Sequence, residues 1–321
     1  NDMLFHRMAD AATIAIADMK PAAIGVAHRM LTDISFIRRF RMKDGSTRTN
    51  PGRRTPEVAG PIEYAVMSPG KRIRPLLMMA AYESAGGDGP EVADLACSVE
   101  LVHAYSLVHD DLPCMDDDVL RRGRPTLHVR FGVGPAVIAG AALMPMAVQA
   151  IVAAAPSLGL EEPAVRSMVR MLTSASGATG MVGGQLLDLQ AEGRPVDRDQ
   201  LECIHTGKTA RLISASVALG GMAAGADRED VERLERFGLR LGLAFQAIDD
   251  ILDLRGDTEE LGKESGRDSV LRKATYPGLF GLEEAEAISR DLARAASAEL
   301  AELGRAEGLR ELARYIIDRS H

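Results

Sequence analysis

The chain predicts an all-α fold, and three observations carry that expectation. Aromatic residues make up 4% of the chain and tryptophan is absent, whereas Ala, Leu, Met and Val are plentiful, a bias toward helix formers. Apolar residues recur at helical spacing along most of the length, and alternating β-branched runs joined by hairpin signals are hard to find. No linker-like stretch divides the 321 residues, so the helices are expected to form a single domain.

Taken in order, the first helical pattern covers roughly residues 2–36. RRFRMKDGSTRTNPGRRTPEVAG (38–60) is basic and rich in turn formers and reads as a loop or partly disordered connection. Residues 1–60 therefore form a helix and basic loop ahead of the main body, 61–321, with which they are continuous. Helices follow near 61–67 and 74–86, the second opened by PGKRIRP (69–75), and a longer one near 91–111. Between Phe131 and Leu160 no charged residue occurs, a length sufficient to span a bilayer. Pro135, Pro145 and Pro156 punctuate that stretch, and Gly and Ala dilute it. The expectation is a helix over 134–155 buried in the centre of a bundle, without stable membrane insertion. Further helices fall near 161–177, 198–222, 229–254, 280–303 and 307–319.

Composition also excludes some functions. A charged fraction of 26% and a hydrophobic fraction of 46% describe a folded soluble protein. A formal net charge of −8 argues against a nucleic-acid binder, which usually carries a basic face. Cys97, Cys114 and Cys203 are far apart and lack metal-ligand spacing, as suits a reducing compartment. Asp2, His6, Arg7, Asp10 and Asp18 interrupt any apolar leader. A cytoplasmic location is expected.

Two acidic clusters stand out. HDDLPCMDDDVLRRGRPT (109–126) crowds Asp110, Asp111, Asp116, Asp117 and Asp118 ahead of Arg121 and Arg122. Packed carboxylates repel one another unless a cation or bulk water separates them. A solvated acidic loop is the competing reading of that stretch alone. LRLGLAFQAIDDILDLRGD (239–257) then places Asp249, Asp250 and Asp253 in an otherwise apolar helix. Asp249 and Asp253 share a face there, with Gln246 one turn earlier. Acids so embedded are costly without a cation or a wet cavity. Short carboxylates on two helices suit Mg²⁺, which takes its remaining ligands from water and from a substrate's phosphate oxygens. Cations able to meet phosphate are also present: Lys71, Arg72 and Arg74 at a helix start, the planar forks of Arg121 and Arg122, Lys208 beside Thr209, Lys263 and Lys273.

GKRIRP, HAYSLVHDDLPCMDDDVLRRGRPTLH, GGQLLDLQAEG, HTGKTARLI, GLAFQAIDDILDLRGD, LGKESGRD and KATYP occur in that order over about residues 60–320. Together they resemble the polyprenyl synthetase family, the trans-isoprenyl diphosphate synthases, and within it the bacterial farnesyl diphosphate synthases. The resemblance implies a helical bundle around a deep cavity, a homodimer, and head-to-tail condensation of isopentenyl diphosphate with an allylic diphosphate (dimethylallyl or geranyl). It implies three Mg²⁺ held by Asp110, Asp111 and Asp116 on one side and by Asp249, Asp250 and Asp253 on the other. By the same resemblance Arg121, Lys208, Lys263 and Lys273 meet the allylic diphosphate, and Lys71, Arg74, His103 and Arg122 meet isopentenyl diphosphate. Thr209, Gln246 and the Lys208 carbonyl would offer weak dipoles to an allylic carbocation, and departed diphosphate would take the proton. Tyr105, beside the small Ser106, would floor the tail cavity and stop growth at fifteen carbons. A geranylgeranyl diphosphate synthase stays open, as does a non-catalytic partner subunit, although such subunits typically lose one aspartate motif. A terpene cyclase fits less well, since its second metal motif normally carries Asn, Ser and Glu. Three departures stand out: FGVG (131–134) and AGAAL (139–143) lack a Glu and an Asp frequent in the family, and Val119 replaces a frequent polar residue.

Overall fold

The computed structural model describes residues 39–41, 47–49, 56–256 and 273–317. The helix read over 2–36 and Lys263 lie outside them. The loop read over 38–60 is corrected at both ends. Arg39–Arg41 (β1) pairs antiparallel with Thr47–Thr49 (β2), and α1 already begins at Pro56, running to Val66.

The bundle is built from α2 (Ile73–Ser84), α3 (Val92–Asp110), α4 (Leu127–Phe131), α5 (Val133–Ala154), α6 (Glu162–Ser176), α7 (Met181–Ala191), α8 (Arg198–His205), α9 (Arg211–Ala223), α10 (Arg228–Arg255), α11 (Tyr276–Phe280), α12 (Leu282–Glu299) and α13 (Glu307–Ile317). Local chemistry explains several of these boundaries. Asp197 caps α8 by accepting from Gln200 N at 2.9 Å, while the Gln200 side chain accepts from Asp197 N at 3.0 Å, a reciprocal pair that satisfies two orphan donors. Asp227 caps α10 by accepting from Asp230 N, and Gly256 ends it with φ 76°. Two-residue strands β3 (Leu120–Arg121) and β4 (Arg124–Pro125) form a hairpin whose turn residues, Arg122 and Gly123, both have positive φ.

α3 packs along α5, α2 along α9, and α10 against both α9 and α12. One apolar cluster, from Leu95, Val99 and Val102 to Leu143, Ile151 and Met168, fills the α3–α5–α6 side. A second, around Leu77, Val217, Phe237 and Leu241, joins α2, α9, α10 and α13.

The expectation of a centrally buried helix over 134–155 is corrected. α5 is long and apolar enough to cross a membrane, and 44% of its most apolar stretch is buried. One flank meets α3, while Val133, Val137, Ile138 and Ala141 face outward. Two of the family departures, at Val133 and Ala141, fall on this outward flank.

The helix read as continuous over 198–222 changes pitch. Thr206–Ala210 form a π-helical turn between α8 and α9. Such turns are rare and recur at functional sites, because they rotate side chains off the regular helical faces. α7 has no counterpart in the sequence reading. Its Gly183–Gly184 pair lowers helix propensity, yet the glycine is demanded by packing. A Cβ on Gly184 would lie 2.1 Å from Lys208 N, so α7 and the π turn meet backbone to backbone.

Candidate active site

At the carboxyl end of α3 the chain folds back on itself. Met115 N bonds Leu112 O at 2.9 Å and Asp116 N bonds Asp110 O at 2.8 Å. Asp117 holds φ at 51°, an unusual conformation for a non-glycine residue and one that concentrates at functional loops. The β3–β4 hairpin then returns Arg121 to the loop it follows. Its Nε donates to Asp111 Oδ1 at 2.9 Å and its Nη2 to Asp118 Oδ2 at 2.8 Å.

Opposite stand α10, α7 and the π turn. The resulting cavity of about 150 Å³ is lined by Asp110, Asp116, Asp118, Asp188, Asp249 and Asp250, with Arg121, Lys208 and Lys273 as its cations. Six carboxylates thus face three cations. Lys208 Nζ lies 2.5 Å from Asp188 Oδ2, and Lys273 Nζ lies 3.1 Å from Asp116 Oδ1 and 3.8 Å from Asp188 Oδ2. Burial pushes Asp110 up to about 6 against the pull of Lys208, and pushes Asp111 up to about 6 against that of Arg121. Burial also lifts Asp188, but Lys208 and Lys273 outweigh it and hold the carboxyl below its ordinary range. Lys208 is raised, since Asp188, Asp110 and Asp116 together overcome the cost of burying it.

The second acidic cluster is held more firmly. Asp250 Oδ1 accepts from Gln246 Nε2 at 2.9 Å and Oδ2 from Tyr276 N at 3.0 Å. Thr209, carried by the π turn, donates to Gln246 Oε1 at 2.7 Å. Asp253 is buried one turn further along α10, and Asp111 is buried behind the cavity against Arg121.

A separate basic cluster lies beside this cavity. Arg74 is half-buried, desolvation of its guanidinium pushes it down to about 10, and it senses Glu100, Asp249 and Arg122. Arg122 Nη1 donates to Pro69 O at 2.6 Å, and Nη2 lies 3.4 Å from His103 Nε2. A Cβ on Gly70 would sit 2.3 Å from that guanidinium, so a larger residue there would displace the Arg122 side chain. Arg72, with φ 51°, pairs with Glu100 and caps α1 by donating to Val66 O at 2.9 Å and Ser68 O at 2.6 Å. Lys71 Nζ stands 5.8 Å over the ring of Tyr315 on α13. Burial and the arginines Arg74, Arg122, Arg121 and Arg72 hold His103 well below its ordinary range, so it is a neutral partner here.

The structure therefore brings together Asp110, Asp116, Asp249, Asp250, Arg121, Lys208, Gln246 and Lys273, gathers Arg74, His103 and Arg122 beside them, and leaves Lys71 exposed against Tyr315. Tyr105 and Ser106 lie on α3. Tyr105 packs edge-on against His109 at 4.6 Å and against the α3–α5–α6 apolar cluster, while Ser106 Oγ donates to His103 O at 2.9 Å. Sequence reasoning missed Asp188, Glu100 and His205, and named Asp118 in the acidic cluster without giving it a place in the site. His205 is buried 3.9 Å from Asp250 Oδ2, and burial pushes it down to about 4. Glu100 was findable as the residue one turn before His103 on the same helix face.

The donor set fits divalent cations. Among the described residues no three acidic, His or Cys side chains converge as a ready-made cage. Opposed walls of carboxylates are what Mg²⁺ accepts when water and phosphate oxygens complete its shell. The polyprenyl synthetase profile matches residues 55–308. The chain belongs to the polyprenyl synthetase family. It is 46% identical over 275 residues to the farnesyl diphosphate synthase of Escherichia coli, covering 84% of this chain and 91% of that one. It is 44% identical over 242 residues to geranylgeranyl pyrophosphate synthase 12 of Arabidopsis thaliana, covering 74% and 67%. A Helicobacter pylori geranyltransferase solved with magnesium and isoprenyl diphosphate matches with a TM-score of 0.74 at 35% identity, covering 82% of this chain and 89% of that one. As a polyprenyl synthetase, the all-α chain is a prenyltransferase of the trans-prenyl synthase type. Both expectations hold. What distinguishes one polyprenyl synthetase from another is product length, and the relatives named here differ in it.

Proposed function

We propose that this prenyltransferase condenses isopentenyl diphosphate with dimethylallyl or geranyl diphosphate and releases farnesyl diphosphate. The observation that carries the product assignment is the place of Tyr105. Its ring is half-buried against the apolar cluster, on the helix that ends in Asp110. Five residues separate the two, about 7.5 Å along the axis. A tail entering from the acidic cavity meets that ring after a limited run.

In this reading Asp110 and Asp116 on one wall and Asp249 and Asp250 on the other, with Asp111 and Asp253 as the buried members of the two motifs, would hold three Mg²⁺, which would supply charge neutralisation for a departing diphosphate. Arg121, Lys208, Lys263 and Lys273 hold the allylic diphosphate, and Lys71, Arg74, His103 and Arg122 hold isopentenyl diphosphate. Breaking the allylic C–O bond develops negative charge where Arg121, Lys208 and Lys273 already stand, so they stabilise the transition state more than the ground state. The apolar wall beyond them excludes water from the carbocation. The neutral His103 can accept from Arg122 without adding a repelling charge. Residues 61–321 act as one catalytic domain with the N-terminal segment continuous to it, in the cytoplasm. The outward apolar flank of α5, at Val133, Val137 and Ile138, supports a homodimer.

Product analysis with purified protein, isopentenyl diphosphate and each allylic primer tests the assignment. Farnesyl diphosphate is expected from the native enzyme, and twenty carbons or more from Tyr105→Ala. A native enzyme making mostly the twenty-carbon product, or an unchanged length from Tyr105→Ala, places the floor elsewhere.

A further inference from the structure

Gln185 is an anomaly among the buried polar residues. It is 6% exposed, and among the described residues neither its Oε1 nor its Nε2 has a hydrogen-bond partner. A buried amide left unpaired destabilises the fold, so native structures seldom keep one without a purpose. Its place suggests the purpose. The buried face of α7 carries Met181, Gly184, Gln185 and Asp188. Asp188 lines the acidic cavity and meets Lys208 and Lys273. Met181, at the other end, belongs to the apolar cluster against which Tyr105 packs. Gln185 stands between them, three residues or about 4.5 Å from Asp188 along the axis. Backbone contact between Gly184 and the π turn fixes that position.

The two side-chain dipoles named from sequence, Thr209 and Gln246, are by contrast already engaged. Gln246 Oε1 accepts the Thr209 hydroxyl and Gln246 Nε2 donates to Asp250. We propose that Gln185 is a further catalytic residue of the condensation, its side-chain carbonyl facing the allylic carbon as positive charge develops there. The proposal rests on the reading above, in which diphosphate occupies the acidic cavity and the tail points toward Tyr105. The allylic C–O bond breaks and its electron pair leaves on the diphosphate. The π pair of isopentenyl diphosphate forms the new C–C bond, and the resulting tertiary cation loses a proton to the departed diphosphate. Gln185 makes and breaks no bond. Its fixed dipole lowers the energy of the cation without the reorganisation that water would need.

The experiment compares native enzyme with Gln185→Met, which keeps the length and removes the dipole. Turnover is expected to fall about 10²–10³-fold, the usual loss for one preorganised dipole, with both Michaelis constants within about threefold. Melting temperature should hold or rise, because an unpaired buried amide has gone. A second reading separates this role from a packing role. The turnover ratio of geranyl diphosphate to its 2-fluoro analogue reports how much the reaction depends on cation stability. Loss of the dipole should raise that ratio severalfold, a change that altered packing would not produce. Unchanged turnover, or reduced turnover with an unmoved fluorine ratio, overturns the proposal. An inactive native enzyme overturns it together with the reading beneath it. An active native enzyme with an indifferent Gln185 overturns the proposal alone.

Discussion

The acidic cavity and the basic cluster beside it make opposite offers to the same kind of ligand. In the first, six carboxylates outnumber Arg121, Lys208 and Lys273. In the second, Arg72, Arg74 and Arg122 surround one buried acid, Glu100, and a histidine held neutral, with Lys71 nearby in the chain. Diphosphate can enter the basic cluster directly, through charge-assisted hydrogen bonds to planar guanidinium forks. It can enter the acidic cavity only if cations come with it. Arg74, which senses both Glu100 and Asp249, marks the border between them. On the proposed reading, the contrast would give ionisation to the acidic side and plain anion binding to the other. Loss of charge should therefore affect the two sides in different kinetic parameters.

The largest effect is expected where the contrast is sharpest. Asp110→Ala or Asp249→Ala removes a carboxylate from one of the two opposed walls. Turnover at ordinary Mg²⁺ should fall by at least about 10²-fold, while circular dichroism stays that of the native bundle. Normal turnover from either folded variant would break the comparison, because the acidic wall would then not be holding the cations.

A smaller and more selective effect belongs to the basic cluster. Lys71→Ala and Arg74→Ala each remove a charge-assisted contact, which costs about 1.5–3 kcal/mol. The Michaelis constant for isopentenyl diphosphate should rise roughly 10- to 150-fold, with that for the allylic substrate nearly unchanged. Equal rises for both substrates would merge the two regions into one site.

How much of this division the sequence disclosed follows from what each residue depends on. The metal-side aspartates are legible because only closely spaced short acids in an apolar helix make sense with a cation. Asp188 and Glu100 are single acids, and their meaning comes from neighbours far away in the chain: Lys208 and Lys273 for one, Arg72 for the other. α7 is hidden because its glycines read as helix breakers, and the need for them arises only where Gly184 meets Lys208. The π turn is hidden because 3.6-residue periodicity continues on both sides of it. α5 is legible as a helix but not in its burial, since a pattern apolar all round cannot say which flank finds protein. The paired tyrosine and histidine of α3 show a different limit. Five residues place Tyr105 about 140° around the axis from Asp110, so the floor role proposed for it rests on packing and resemblance, not spacing.

The smallest predicted effect tests whether the basic cluster draws its charge from arginine alone. Burial, then Arg74 and Arg122, hold His103 well below its ordinary 6.5 in the folded enzyme. The unfolded chain therefore takes up a proton at this position before the folded one does. Stability linked to His103 is present above pH 6.5 and is lost as pH falls below it. His103→Gln keeps a hydrogen-bonding side chain for Arg122 but has no proton to gain. The melting temperatures of variant and native enzyme should lie within a few degrees at pH 8, and the variant should gain on the native enzyme as pH is lowered toward 5. Because His103 is already neutral at pH 8, affinity for isopentenyl diphosphate there should fall by no more than the loss of one neutral contact, about tenfold or less. A variant that loses stability faster than the native enzyme on acidification would show that His103 is charged in the folded state. The basic cluster would then hold one more cation than its arginines and lysine provide, and its contrast with the acidic cavity would be greater still.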